Sequence, residues 1–147
     1  MAVERTFIIV KPEAVQRGLI GTVLSRFENR GLKIVKLEVR QISRETASVH
    51  YQHLADKPFF GGVLDSITAG PAVLGILEGE GVVDLVRQLL GATDPLKAAP
   101  GTIRGDYGTV LPYNVVHASD SLESAAREIG LFFPGESAKP AGCGCGC

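Results

Sequence analysis

Two short runs, Thr6 to Val10 and Ala72 to Leu77, are apolar at nearly every position and rich in β-branched residues. Runs of this length and composition fit strands buried on both faces better than half-solvated strands. Lys11-Pro12 closes the first, and Pro71 opens the second. Between them, from Val35, the period changes to two: Val35, Leu37 and Val39 point one way, and Lys36, Glu38 and Arg40 the other. That alternation predicts a half-exposed strand near a sheet edge or a subunit contact.

The intervening segments carry helical spacing. Ile20, Val23, Leu24 and Phe27 form one stripe that Gly31 stops. Ser43 opens a helix carrying His50, Tyr51 and His53, which ends at Asp56-Lys57-Pro58. Phe59-Phe60-Gly61-Gly62 is expected to be a turn before a short stripe of Val63, Leu64 and Ile67. Val82, Leu85, Val86 and Leu89 make a further helix that ends at Gly91. From Ala92 to Tyr113 no period is sustained, and a loop of that length inside a domain is usually functional. A last apolar run, Asn114 to His117, meets a helix for which Asp120 is the expected N-cap and Glu123 the capping-box partner. With the extra helices set aside the order is βαββαβ. It implies an α+β, ferredoxin-like sandwich, a four-stranded antiparallel sheet with helices on one face.

The 147 residues fit one domain, expected over residues 1–134. Residues 135–147 are expected to be a disordered Gly/Cys-rich tail. A net charge of −1 gives no general attraction to nucleic acid or anionic membrane. No signal-peptide pattern or membrane-length apolar run is present in the sequence. All three cysteines, Cys143, Cys145 and Cys147, lie in the last five residues, so the body of the chain holds no disulfide. The expectation is a cytoplasmic protein.

The chain has no Gly-x4-Gly-Lys-Ser/Thr loop, no zinc-type Cys/His spacing in its body and no Gly-x-Ser-x-Gly elbow. That leaves an imidazole as the candidate nucleophile. His117 sits at a strand end and a helix mouth, with Glu128 two turns along that helix. Taken alone, a histidine in this place is more often a buried one satisfied by backbone. Lys11, Arg87 and Arg104, with the Thr93 hydroxyl, stand at element ends where they could cradle a polyphosphate. Singly, each also suits a solvated surface. Phe59 could stack on a flat base or, with Phe60, anchor its turn to the core. Tyr51 could hydrogen-bond near His117 or be structural. His50 and His53 lack a Glu or Cys partner motif for a metal.

From Glu4 to about Phe133 the chain resembles the nucleoside diphosphate kinase family. The resemblance runs through Arg5-Thr6-Phe7, Lys11-Pro12, Gln16-Arg17-Gly18, His50-Tyr51, Pro58-Phe59-Phe60, Gly70-Pro71, Thr93-Asp94-Pro95 and Pro100 to Asp106. It ends in Asn114 to Asp120, which is similar to the family's active-site signature. The resemblance implies that His117 accepts phosphate through Nδ1, that Glu128 holds the other ring nitrogen and that Ser119 supports Glu128. It assigns Lys11, Tyr51, Arg87, Thr93, Arg104 and Asn114 to phosphates and sugar, and Phe59 with Leu111 to the base. It implies transfer of the γ-phosphate of ATP to nucleoside diphosphates in ping-pong fashion, with Mg2+ held mainly by the nucleotide. It also implies a homohexamer or homotetramer. Balanced charge disfavours the alternative of a nucleic-acid-binding regulator that keeps the fold without turnover. Ala118, Asp94 and Gly61-Gly62 depart from the family's commonest pattern.

Overall fold

The computed structural model describes residues 2–140. Strand β1 (Val3–Val10) leads into a one-turn helix α1 (Pro12–Gln16) and then α2 (Ile20–Asn29). Edge strand β2 (Lys33–Gln41) is followed by α3 (Arg44–His50), a 3-10 turn at Gln52–Leu54 and α4 (Phe60–Ile67). Strand β3 (Pro71–Glu80), α5 (Val82–Leu90) and α6 (Ile103–Tyr107) precede β4 (Val116–Ala118) and α7 (Leu122–Phe132). The sheet runs β2-β3-β1-β4 with every neighbouring pair antiparallel. This is the four-stranded antiparallel α+β sandwich expected from the order of elements.

Helices lie on both faces of the sheet, where the sequence reading placed them on one. The alternation of β1 shows why. Ile8 and Val10 pack with Val23 and Phe27 of α2 and Val82, Val83, Val86 and Leu90 of α5. Phe7 and Ile9 pack on the other side with Ala47 of α3, Leu64 and Ile67 of α4, and Ile129 and Phe132 of α7. Both faces of β1 therefore leave water, with all six residues from Arg5 to Val10 buried. The expected helices of the βαββαβ unit cover one face. The inserted α3 and α4, with the terminal α7, cover the other.

Three local expectations are corrected. Gly61 and Gly62 belong to the first turn of α4 rather than to a turn before it. Burial of Phe60, Val63, Leu64 and Ile67 offsets the poor helix propensity of the two glycines. Ser121, not Asp120, caps α7, its extended backbone letting Oγ accept from the Ser124 N–H at 3.0 Å. The 92–113 segment contains a 3-10 turn at Pro95–Lys97 and the helix α6, both too short to register a 3.6 period. Their caps make them instead: Asp94 accepts from the Leu96 N–H, and Thr102 from the Gly105 N–H. Asp94, the family departure, thus spends its carboxylate on a turn. Gly91, at φ +84°, is fixed by the same loop, because a Cβ there would collide with the Thr102 side chain.

The chain stays docked beyond the expected domain end at 134. Arg5 Nη1 donates to the Ser137 carbonyl at 3.1 Å, Lys36 pairs with Glu136 at 3.6 Å, and Ala138 packs against the second core. The expected tail of Cys143, Cys145 and Cys147 lies outside the described residues. Among those described, no helix is long and apolar enough to cross a membrane.

Candidate active site

His117 is the middle residue of β4, paired with Ile9 of β1. The period of two buries its neighbours Val116 and Ala118 in the α2/α5 core and turns the imidazole toward α3 and α7. The methyl of Ala118, at the second departure, is absorbed by that core. The ring is neither fully buried nor backbone-satisfied: 19% of its side chain is exposed. Nε2 lies 2.9 Å from Glu128 Oε1, and the Ser119 hydroxyl donates to the same oxygen at 2.7 Å. Burial would raise the Glu128 carboxyl, yet the hydrogen bond and charge of His117, then His50 and Ser119, hold it below its ordinary range. With Glu128 a carboxylate, Nε2 carries the ring proton and Nδ1 keeps its lone pair. Nδ1 makes no hydrogen bond among the described residues.

A cleft of about 250 Å³ opens on this ring. It gathers Lys11, Tyr51, Arg87, Thr93, Arg104 and Asn114 from six separate places along the chain. The cations are held by protein oxygens rather than left in solvent. Lys11 Nζ donates to Asn114 Oδ1 at 2.6 Å, and Asn114 Nδ2 donates to the Thr93 carbonyl at 2.9 Å. Arg87 Nη1 donates to the Ala118 carbonyl at 3.2 Å. Arg104 donates to the carbonyls of Gly91, Asn114 and Val116, at 3.2, 3.2 and 2.7 Å. Burial, and then the positive charge of Arg104, lower Lys11 to about 8. Burial, and then Arg87, lower Arg104 to about 10, so it stays cationic at pH 7.

Val115 organises this wiring. It is the one non-glycine at positive φ (74°) among the described residues, and a β-branched side chain there stores about 1–3 kcal/mol of strain. Glu13 Oε1 accepts from its N–H at 2.8 Å, its carbonyl accepts from the Lys11 N–H at 2.9 Å, and its side chain is wholly buried. The kink sits between the two carbonyls, those of Asn114 and Val116, that Arg104 clamps.

Residues 4–138 match the family model described as "Nucleoside diphosphate kinase". The curated nucleoside diphosphate kinase of Desulforamulus reducens is 57% identical over 133 residues, covering 90% of this chain and 89% of that one. That of Frankia casuarinae is 56% identical over 137 residues, 93% of this chain and all of the relative. A halophilic nucleoside diphosphate kinase from Halobacterium salinarum, solved in complex with CDP, superposes with a TM-score of 0.89 at 48% identity, covering 95% and 93% of the two chains.

The chain belongs to the nucleoside diphosphate kinase family. Its candidate base-binding residues stand apart from the other candidates. Phe59 and Leu111 do not line it, and about half of each is exposed (54% and 52%). Phe60, not Phe59, anchors to the core. The cleft also takes in residues to which the sequence reading gave no role there: His50, His53, Asp120 and Arg127. His50 is the conspicuous one, a 5%-exposed residue with neither ring nitrogen hydrogen-bonded among the described residues. Burial and then the neighbouring His117 push it down to about 3, so it is neutral at pH 7. Its signal was its place beside Tyr51 on the buried face of α3.

Proposed function

We propose that this chain, as a nucleoside diphosphate kinase, moves the γ-phosphate of ATP to nucleoside diphosphates through a phosphohistidine at His117. The observation that carries this is one imidazole with Nε2 fixed by a carboxylate and Nδ1 free at the floor of a cationic cleft. In the first half-reaction the Nδ1 lone pair attacks the γ-phosphorus, the bond to the β–γ bridging oxygen breaks, and the nucleoside diphosphate leaves. No proton need move. The positive charge that develops on the ring is met by Glu128 through Nε2–H, while Ser119 keeps Glu128 aimed. In the second half-reaction a terminal phosphate oxygen of another nucleoside diphosphate attacks the phosphorus and the ring nitrogen leaves.

Lys11, Arg87 and Arg104 take the phosphate charge, Arg104 with its geometry preset by three carbonyls. Tyr51, Thr93 and Asn114 add polar contacts to phosphates and sugar. Phe59 stacks on the base, with Leu111 opposite. Nothing in this set reads base edges, so tolerance among bases follows.

Mg2+ fits the site only as a passenger on the nucleotide. The cleft's two carboxylates are Asp120 and Glu128, and Glu128 is already engaged, whereas Mg2+ favours oxygen ligands supplied largely by phosphates and water. Bound there, the ion would neutralise phosphate charge. Self-association as a homohexamer or homotetramer is supported by the open edge of β2, which exposes Leu37 and Val39. A cytoplasmic location is supported by the cysteine-free body of the chain. The domain is proposed to extend to Ala138, which packs against the second core and is the last residue the family model matches.

Incubation with γ-labelled ATP should give an acid-labile protein phosphate that ADP or GDP removes, and His117→Ala should carry none. Label surviving that substitution would contradict the mechanism.

A further inference from the structure

We propose that His50, His117 and Glu128 form a capture site for a divalent cation of the zinc class, and that filling it blocks phosphate uptake at His117. The binding stands on the geometry alone, while the block rests on the phosphoryl-transfer reading above.

The starting point is His50. A buried imidazole almost always finds a hydrogen-bond partner, and among the described residues this one has none on either nitrogen although its side chain is only 3% exposed. Its ring is wedged among His117 (centroids 4.7 Å, 88°), Tyr51 (4.4 Å, 71°) and Phe132 (5.3 Å, 75°), which fixes its direction without satisfying it. Nδ1 faces Glu128 Oε2 at 4.0 Å, too far for a hydrogen bond. One donor atom from each of His50, His117 and Glu128 lies within 4.8 Å of the other two.

Two imidazoles and a carboxylate, with a cleft on the fourth side, are the donor set zinc accepts at open sites. The hard cation that travels with nucleotides prefers oxygen alone and would not compete. Tetrahedral zinc at its usual bond lengths holds donors about 3.4 Å apart. His117 Nε2 stands 2.9 Å from Glu128 Oε1 and His50 Nδ1 4.0 Å from Glu128 Oε2, so rotations of the carboxylate and the rings bring one donor of each residue to that spacing. With no hydrogen bond on either ring nitrogen among the described residues, His50 has a ring nitrogen to offer.

The consequence for His117 concerns its proton. When the metal takes Nε2, the proton there passes through solvent to Nδ1, giving the other neutral tautomer with no net change of ring charge. The lone pair that would attack phosphorus is then gone. Glu128 is engaged by the ion and no longer steers the ring.

The test uses the full chain with Cys143→Ser, Cys145→Ser and Cys147→Ser, so that tail thiols do not capture the ion. Zinc alone is titrated at pH 7 by calorimetry without nucleotide. The expected result is one zinc per chain, undisturbed by excess Mg2+, with His50→Phe weakening binding by at least about tenfold. Protein phosphorylated on His117 and desalted should lose affinity by a similar factor, which does not depend on any variant folding. Affinity unchanged by both, or no zinc bound while an ordered water bridges His50 and Glu128, overturns the site. Zinc-loaded protein should label from γ-labelled ATP in proportion to its metal-free fraction, and a chelator should restore it. Stoichiometric zinc with undiminished labelling overturns the block. Metal-free protein that never labels indicts the phosphoryl-transfer reading instead, and zinc affinity and its His50→Phe loss then decide the site.

Discussion

At the proposed phosphate end of the site Lys11 holds to Asn114, Arg87 and Arg104 to backbone carbonyls and His117 to a carboxylate, whereas Phe59, the proposed base stacker, stands outside the cleft at the start of α4 with half its surface in solvent. Arg104 makes three carbonyl contacts and Lys11 reaches Asn114, all converging on the kink at Val115. Phe59 makes no side-chain cap, and it leads into a helix whose first turn contains Gly61 and Gly62 with open space around both. The difference follows from the chemistry each end is proposed to do. In-line attack on phosphorus tolerates little misplacement, so orientation must be set before the substrate arrives. Stacking on bases of different size gains from a side chain that can adjust.

If preset orientation is what the phosphate end supplies, its largest single lever after His117 is Glu128. Glu128→Ala should slow the first half-reaction by about a hundredfold, roughly 2.7 kcal/mol of barrier, and leave the affinity for ADP within about twofold. Single-turnover labelling measured beside equilibrium ADP binding separates the two. Equal loss of both would mean that Glu128 holds the cleft together rather than aiming the ring.

Lys11 offers a smaller, pH-dependent break. Its ammonium sits near 8, and a bound polyphosphate must raise it. Raising the pH from 7 to 9 should therefore weaken ADP binding by about tenfold, and Lys11→Arg should flatten that dependence. The sign for folding is opposite. Between about 8 and 10.5 the unfolded chain binds the proton that native Lys11 does not, so this lysine makes the empty protein more stable as pH rises across that window. A pH-independent ADP affinity would show that the cleft does not depend on this charge.

The same contrast governs what could be read from residues alone. Periods of two and 3.6, together with caps and glycine stops, located the main strands and helices, because these signals are local. The second helical layer was missed since βαββαβ does not say where extra helices go; only the joint burial of Phe7 and Ile9 with α3, α4 and α7 does. The cap of α7 slipped by one residue because Asp120 and Ser121 are both competent caps, and backbone direction decided between them. The phosphate-end residues were legible as residue types at element ends, and their convergence required the fold. The lack of partners around His50 has no sequence signature at all, since it depends on what fails to approach.

The base end gives the smallest effect, and it is the sharpest test of the contrast. Phe59→Ala should raise KM by about twofold to tenfold, the 0.5–1.5 kcal/mol of an aromatic contact, with kcat nearly unchanged. Because stacking reads the face of a base and not its edge, the increase should be of similar size for purine and pyrimidine diphosphates, larger for the purines only in proportion to their area. Steady-state kinetics across ADP, GDP, CDP and UDP measures this. A fall in kcat of more than about tenfold would mean that Phe59 helps to place the phosphates, and the two ends of the cleft would then be one mechanically coupled unit rather than a fixed floor and an adjustable wall.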